Sequence, residues 1–403
     1  MQKINATAVL AALVAATVIL AGIVQAQIQP DEVFIPADEA VISTETYTGA
    51  LETVFEFSEA MPTGVTVSQA GRIFVNFPRW GDDVAFTVGE IRDRRLMAYP
   101  DLAFNQAAPD RPGEGLISVQ SVVVDPVNRL WLLDTGSVEF GPVTPGGAKL
   151  VGVDLARDRI FQTIVLPPEV ALPTTYLNDL RFDLRRGDAG LAFITDSSLS
   201  GPNAIIVVDL ATGDSWRQLD GHPSVTANAD FRPIVEGRPF LLRPPAEDPQ
   251  PLLVGADGIA MGATGDRLYY CSLSGRHLYS VSLDALANRE LAAEEVAATV
   301  VDLGEKGASD GLESDTRDRI YITDYEHNAL RRRDPDGSIA TLVHDPRVLW
   351  PDTLSLATDG HLYFTANQLH RQPGFQGGED RRQKPYLLFR IPLEAEAQPV
   401  LLR

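Results

Sequence analysis

Six polar residues recur at the same position of a repeated segment, and their side chains are of the kinds that bind cations or move protons. They are Thr63, Gln120, Asn178, Asp257, Asp310 and Asp352. Five of the six carry carboxylate or amide oxygens, which are the ligands that a hard cation such as calcium takes. Three carboxylates close together repel one another unless a cation, a proton or a cationic ligand compensates them. Together these residues would form one site, whereas each Asp taken singly could hydrogen-bond its own turn.

The repeated segment that carries these lead residues reads as strand, tight turn and strand. The Arg or His that opens the second strand follows the lead residue by nine positions in four copies and by ten in the copy at Asp257. The copy at Asn178 has three extra residues around Gly187. Self-similarity of this kind indicates a repeat architecture. Because further strands follow in most copies, we predict an all-β, six-bladed β-propeller, with a β-sandwich or solenoid as the alternative.

The predicted propeller occupies residues 49–403 as one domain. Its blades are expected to start near residues 63, 120, 178, 257, 310 and 352. Residues 51–57 could supply a strand that closes the ring, and residues 27–48 are interpreted as a flexible lead-in.

The N-terminal 26 residues differ from the rest of the chain. Lys3 is followed by an uncharged run over residues 8–24, which ends in Val24-Gln25-Ala26. A basic start, an apolar run and small residues at the end are typical of a secretory signal peptide, so we predict cleavage after Ala26. The mature chain would then be secreted or periplasmic and free of the membrane. An uncleaved membrane anchor is the alternative, because the run is about as long as a short spanning helix.

Charge and cysteine content exclude several classes of protein. The chain has 55 Asp and Glu against 34 Lys and Arg, for a net charge of −21. This argues against nucleic acid as a partner, since nucleic-acid binders show basic patches. The single cysteine, Cys271, excludes a disulfide scaffold and a cysteine zinc cluster.

Several motifs, in order along the chain, resemble those of the yellow and major royal jelly protein family. They are Phe77-Pro78-Arg79-Trp80, Tyr99-Pro100-Asp101, Asp125 with residues 130–136, and residues 349–353 followed by residues 365–369. The resemblance covers roughly residues 50 to 395. It implies a secreted six-bladed propeller with a ligand site in the central channel. Some members resemble enzymes that isomerise dopachrome, and others bind biogenic amines. The lack of cysteines for disulfides departs from the insect pattern and suggests a bacterial branch.

A second, more distant similarity is to gluconolactonase-like propellers, in which Asn and Asp residues leading inner strands hold a divalent ion. It would place calcium or another divalent cation at Asn178, Asp257 and Asp310. No other cofactor is indicated. The first-blade glutamate of that family is replaced here by Thr63, with Glu59 four residues before it, and this weakens the transfer.

In a propeller the first strand of each blade lines the axis, so we expect the lead residues to meet at one mouth of the channel. Proton transfer is assigned first to Asp310 and Asp352, then to Asp179, because carboxyls near other carboxyls can have a raised pKa. Ligand binding is assigned to the remaining lead residues, to Glu313, and to Trp80 and Trp350 as an aromatic wall. Packing beneath a loop is the alternative for both tryptophans.

Three functions follow from this set of residues. The first is a propeller that binds a small aromatic or cationic molecule and isomerises it, with an Asp that moves the proton. The second is a lactonase in which a divalent ion polarises the ester carbonyl. The third is a non-catalytic binding scaffold.

Overall fold

The computed structural model describes residues 47–106 and 110–403, which contain 26 strands and two short α-helices. The predicted signal peptide and most of the predicted lead-in lie outside these residues. Twenty-four strands form six antiparallel sheets of four strands each, and the remaining two form a separate hairpin. The six-bladed β-propeller predicted from the sequence is confirmed.

Numbered along the chain, strand β1 spans Glu52–Phe57 and is followed by the first blade. The strands of blades 1 and 2 are β2 (Val65–Val67), β3 (Ile73–Asn76), β4 (Val88–Arg92), β5 (Arg95–Ala98), β6 (Val119–Val124), β7 (Arg129–Asp134), β8 (Lys149–Asp154) and β9 (Arg159–Val165). Blade 3 and the hairpin after it contain β10 (Leu177–Asp183), β11 (Leu191–Asp196), β12 (Ile205–Asp209), β13 (Ser215–Gln218), β14 (Ile234–Val235) and β15 (Arg238–Pro239).

The second half of the chain continues in the same way. Blade 4 contains β16 (Ala256–Met261), β17 (Arg267–Ser272), β18 (His277–Ser282) and β19 (Val301–Glu305), with helices α1 (Leu283–Ala287) and α2 (Ala293–Ala297) before β19. Blades 5 and 6 contain β20 (Leu312–Ser314), β21 (Ile320–Asp324), β22 (Ala329–Arg333), β23 (Ile339–His344), β24 (Pro351–Leu356), β25 (His361–Ala366) and β26 (Tyr386–Pro392). Over the described residues, no helix combines the length and hydrophobicity needed to span a bilayer.

Blade 6 is completed by a strand from the other end of the chain. Its strand order is β1-β26-β25-β24, and Glu52 of β1 pairs with Arg390 of β26. The ring is therefore closed by a strand that precedes the first blade, as the segment at residues 51–57 suggested.

The turn between the first two strands of a blade explains the Arg that recurs at the start of the second strand. In blade 2, Asp125 Oδ2 accepts hydrogen bonds from Arg129 Nε at 2.6 Å and from Trp131 Nε1 at 2.9 Å. In blade 5, Asp315 Oδ2 accepts equivalent bonds from Arg319 Nε at 2.7 Å and from the Tyr321 hydroxyl at 2.9 Å. A buried carboxylate must be paired, which explains why the turn Asp, the Arg and the aromatic residue occur together in these two blades. In blades 1 and 4 the Arg has other partners: Arg72 bonds Glu90, and Arg267 bonds Ser280.

The inner strands approach one another closely around the axis. An added Cβ at Gly258 would lie 2.4 Å from the carbonyl oxygen of Asp310, and one at Gly311 would lie 2.4 Å from that of Asp352. Real Cβ atoms do not make such contacts, which is why Gly follows Asp257 and Asp310 in the sequence.

Replacing Phe57 by Ala tests how much the closing strand stabilises the ring. Phe57 is 2% exposed, and its ring lies 5.6 Å from that of Phe77 in blade 1. We expect Phe57→Ala to lower the free energy of unfolding by about 3–5 kcal/mol in chemical denaturation. Phe161→Ala, at a 43% exposed ring on the outer strand of blade 2, should cost less. Equal losses would contradict the assigned role of β1.

Candidate functional site

The six lead residues stand at one end of the inner strands. Four are the second residue of an inner strand (β6, β10, β16 and β24), and two lie two residues before one (β2 and β20). All six are buried. Because the strands are antiparallel, the loops between second and third strands and those that enter the next blade lie at this same end. We call this end the acidic mouth.

Three aspartates meet at the acidic mouth. The carboxyl groups of Asp257 and Asp310 are close enough that, besides burial, the charge of Asp310 raises the pKa of Asp257. Asp310 Oδ2 also accepts the indole N–H of Trp350 at 2.8 Å. Asp352 accepts hydrogen bonds from Asn367 Nδ2 at 2.6 Å and from the Thr353 hydroxyl at 3.1 Å.

The carboxyls at the mouth are harder to ionise than ordinary aspartates. Burial, followed by the charge of Asp310, raises the pKa of Asp257 and that of Asp352 well above the usual range. Burial also raises the pKa of Asp310, but hydrogen bonds from Trp350 and Asp257 hold it to about 6. The cluster therefore places a carboxyl with a pKa of about 6 beside two others whose pKa values are also raised, and neighbouring carboxyls of this kind can serve acid–base catalysis.

Trp350 is held in an uncommon backbone conformation, with φ of 56°. Its indole is fully buried, stacks on Tyr325 at 4.2 Å and lies 5.9 Å from the ring of His370. A large residue with positive φ persists only where its surroundings enforce it. The packing around Trp350 therefore aims the indole N–H at Asp310, beneath the loop rather than along an open wall.

A second polar chain faces the aspartates. Trp80 Nε1 donates to the Tyr176 hydroxyl at 2.7 Å, and that hydroxyl donates to Gln120 Oε1 at 3.1 Å. Phe140, 45% exposed, stacks on Trp80 at 5.1 Å and lies 4.8 Å from Tyr176. Trp80, Phe140 and Tyr176 thus form an aromatic cluster that begins at the surface and ends at a lead residue.

Asn178 stands between the two polar chains with its amide available. Its residue is only 8% exposed, yet its side chain forms no hydrogen bond to any described residue. The atoms of this amide are not among the fully buried atoms that lack a partner, so they are accessible to water or to a ligand. Asn178 is therefore the lead residue whose polar group is most open to a ligand.

Two of the predicted residues are engaged elsewhere. Thr63 has no exposed surface, and its hydroxyl accepts Asn76 Nδ2 at 2.8 Å and donates to the carbonyl of Gln120 at 3.4 Å. Asp179 accepts Arg181 Nη1 at 2.9 Å and the Ser121 hydroxyl at 2.8 Å. Each of these two side chains is thus already bonded within the protein.

Glu313 faces the other end of the channel. It lies 3.8 Å from Arg181, and burial raises its pKa. Both residues line a cavity of about 90 Å³ that is closed in part by the C-terminal segment at residues 399–401. The structure therefore separates Glu313 and Arg181 from the acidic mouth.

The three residues predicted to hold a divalent ion, Asn178, Asp257 and Asp310, all lie at the acidic mouth. In the part of the chain that the structure describes, no group of three or more His, Cys, Asp or Glu side chains is arranged to hold a metal. Asn178, Asp257 and Asp310 offer one amide and two buried carboxyls whose pKa values burial raises. Calcium takes six to eight oxygen ligands. The divalent site stays a prediction, and we assign no step to a metal.

Sequence reasoning missed several residues that complete the mouth. Tyr176 lies two residues before Asn178, and Ser197 donates to Asp257 Oδ2 at 3.3 Å. Asn367 belongs to a motif that was noticed without a role, and Phe140 lies in a loop with no repeat signal. Only position relative to the repeat could have indicated Tyr176 and Asn367.

Comparison with known proteins identifies relatives of the chain. The family model described as major royal jelly protein matches residues 117–396. "Protein yellow" of Drosophila erecta is 30% identical over 168 residues, which cover 39% of this chain and 30% of that protein. "L-dopachrome tautomerase yellow-f" of Drosophila melanogaster is 31% identical over 152 residues, 34% of each chain. The chain thus matches about a third of the length of these two relatives.

A solved structure shares the fold. It is a gluconolactonase, XC5397 from Xanthomonas campestris, with a TM-score of 0.52 at 11% identity over 87% of this chain and 96% of that one. At this identity the likeness shows the propeller architecture alone.

Trp350→Phe tests the indole that donates to Asp310. The phenyl ring keeps the stacking but lacks the N–H, so the pKa of Asp310 should rise by about one to two units. Carboxyl ¹³C NMR titration measures the shift. Trp216→Phe removes an indole that donates to the Leu286 carbonyl at 3.0 Å and should leave Asp310 unchanged. An unshifted titration of Asp310 in Trp350→Phe would rule out this hydrogen bond.

The raised pKa of Asp310 should make stability depend on pH. Between its ordinary value of 3.8 and its folded value of about 6, the folded state binds more protons than the unfolded state. This contribution is present below about pH 4 and is lost as pH rises through about 6, for a total of about 3 kcal/mol. Asp310→Asn should remove it, so unfolding free energies of the variant, measured from pH 4 to pH 7, should fall less than those of the wild type. Parallel profiles would contradict the assignment.

Proposed function

Since the chain belongs to the major royal jelly protein family, we propose that it binds a small aromatic or cationic molecule at the acidic mouth and tautomerises it, as a dopachrome tautomerase-like isomerase. The observation that carries the proposal is the meeting of three buried aspartates, Asp257, Asp310 and Asp352, at the acidic mouth, where burial and the charge of Asp310 raise the pKa of the other two. Export through the N-terminal signal peptide belongs to the same proposal, and so does the absence of a nucleic-acid partner.

Tautomerisation requires one group that takes a proton from carbon and another that delivers a proton to oxygen. Asp310, with a pKa of about 6, is largely ionised at neutral pH and suits the first task. Asp257 and Asp352, whose pKa values burial raises well above the usual range, are protonated more readily than ordinary aspartates and suit the second. One proton leaves the ligand and one enters it, so no oxidant or other reactant is needed.

Binding follows from the groups around the carboxyls. The amide of Asn178 has no protein partner and can orient a polar ligand atom. The aromatic cluster of Trp80, Phe140 and Tyr176 offers stacking for a flat ring. An acidic site of this kind also favours a cationic group on the ligand, since its charge compensates the ionised carboxyl.

The lactonase alternative has less support. It depends on a divalent ion, and the described residues do not arrange a donor set for one. The gluconolactonase likeness extends to the fold alone, so no observation favours lactone hydrolysis over proton transfer. A scaffold without catalysis remains the outcome if no turnover is found.

Turnover of L-dopachrome by the purified protein tests the proposal. Asp310→Asn and Asp257→Asn should each lower kcat by about 100-fold or more, because each removes a group that moves a proton. Asp336→Asn, in the exposed turn between β22 and β23, should leave kcat unchanged. The wild-type rate should fall on acidification below about pH 6, as Asp310 becomes protonated.

Two further measurements distinguish the alternatives. EDTA should not slow dopachrome loss, and a lactone such as gluconolactone should not be hydrolysed faster than in buffer. Metal-dependent lactone hydrolysis that is lost in Asp257→Asn would replace the isomerase with the lactonase. No turnover of either substrate would reduce the mouth to a binding site.

A further inference from the structure

Two long loops enclose a cavity beside the acidic mouth. One is the insertion between β13 and β16, which carries the β14–β15 hairpin; the other joins β25 to β26. The cavity measures about 560 Å³, within the range of small-molecule sites. We call it the arginine pocket, because four arginines line it: Arg238, Arg243, Arg371 and Arg381.

The charge of the arginine pocket is opposite to that of the chain. The only lining acid among the described residues is Glu236, so the lining side chains carry a net charge of +3 in a chain of net charge −21. Glu236 is bound by Arg371 and by His370, whose Nε2 lies 2.9 Å from Oε2. Although burial opposes it, these hydrogen bonds lower the pKa of Glu236 to about 2. Glu236 is therefore charged and already compensated.

Two arginines in the pocket have no carboxylate partner. Arg243 donates to the backbone carbonyls of Pro239 at 3.0 Å and Leu241 at 3.4 Å, which do not neutralise its charge. The side chain of Arg238 is exposed and forms no ion pair or hydrogen bond with the described residues, although its backbone pairs with Val235 in the hairpin. Arg381, by contrast, pairs with Glu379 at 2.8 Å. The pocket thus holds two positive charges for which the protein supplies no counter-charge.

His370 is a second, independent indication of a ligand site, because one of its ring nitrogens has no hydrogen-bond partner among the described residues. It lines the pocket and is only 3% exposed, yet its Nδ1 has no hydrogen-bond partner among the described residues. With Nε2 committed to Glu236, Nδ1 is the ring nitrogen left to contact an occupant. An occupant that bonds to Nδ1 would supply the partner that the described residues do not provide.

The arginine pocket is built before any ligand arrives. The backbone N–H of Arg243 donates to the carbonyl of Gly374 at 2.8 Å, which ties the insertion to the other loop. Gln376 Nε2 donates to the carbonyl of His370 at 2.8 Å, which fixes the second wall. A site whose walls are already bonded loses little entropy on binding.

We propose that the arginine pocket binds a small organic anion with two or more negative charges, a polycarboxylate or a phosphate ester, through Arg238, Arg243 and His370. Guanidinium groups recognise both kinds of oxyanion with paired N–H donors. The site is separate from the acidic mouth: Phe240 and His370 pack on Trp350, which lies between the pocket and Asp310. It does not depend on the isomerase activity proposed above.

Calorimetric titration of the purified chain with citrate and with glucose 6-phosphate, at constant ionic strength, tests the pocket. We expect one saturable site for at least one probe, and the tighter probe indicates whether carboxylate or phosphate is preferred. Arg238→Gln should weaken binding by about tenfold or more, since a charge-assisted hydrogen bond is lost. Because Arg238 has no protein partner, this variant should unfold at the wild-type temperature.

Two further variants complete the test. Arg243→Gln should weaken binding by a similar factor, whereas Arg157→Gln, at a 74% exposed arginine in blade 2, should leave it unchanged. The proposal is overturned if neither probe binds saturably. It is also overturned if Arg238→Gln and Arg157→Gln bind the probes equally well. Asp310→Asn should bind the probes with wild-type affinity even if it no longer turns over dopachrome, because Asp310 lies outside the arginine pocket.

Discussion

Hydrogen bonds that pass from one blade to the next at the level of the lead residues hold the channel mouth together. Thr195 donates to the carbonyl of Asp257 at 2.8 Å, and Thr365 donates to that of Thr63 at 2.6 Å. Asn76 Nδ2 makes the same contact with the carbonyl of Gln120 at 2.8 Å. In each case the end of a second strand fixes the start of the inner strand beside it. These bonds hold the lead residues of neighbouring blades close together at the acidic mouth.

Bringing several carboxyls together in a buried place is electrostatically unfavourable, and neighbouring residues reduce this cost. Buried carboxyls without compensation are unstable, and at the mouth hydrogen bonds and the charge of the buried Lys306 stabilise the ionised form of Asp310. The indole of Trp350 stabilises the charged form of Asp310, while Asn367 and Thr353 satisfy Asp352. The buried Arg181 is bonded to Asp179 lower in the channel. The acidic mouth and the arginine pocket have opposite charges, and Trp350 lies between them.

The fold was predictable because the same residue types recur at nearly the same spacing in each repeat. The lead residue and the Arg or His that opens the second strand recur at a spacing of nine or ten in five copies, and in blades 2 and 5 a turn Asp bonds both the Arg and an aromatic residue. The three aspartates of the mouth followed from the same spacing. The directions of the side chains could not be predicted. Nothing in the sequence showed that the Thr63 hydroxyl would bond to the carbonyl of Gln120 in the next blade, or that Asp179 would pair with Arg181. The arginine pocket was also beyond reach, because its residues come from two loops that lie outside the repeat.

Closure by β1 also shapes how the chain can be made. Glu52 and Arg390 are 338 residues apart, so the first strand to be synthesised finds its partner only when the last has appeared. Until then both strands present unpaired backbone edges, which can recruit strands of other molecules. In the finished ring β1 is still the outer edge of its blade, and it carries exposed Glu52 and Glu56 there. Negative charge along that border discourages chain-to-chain pairing at the seam where the molecule is joined last.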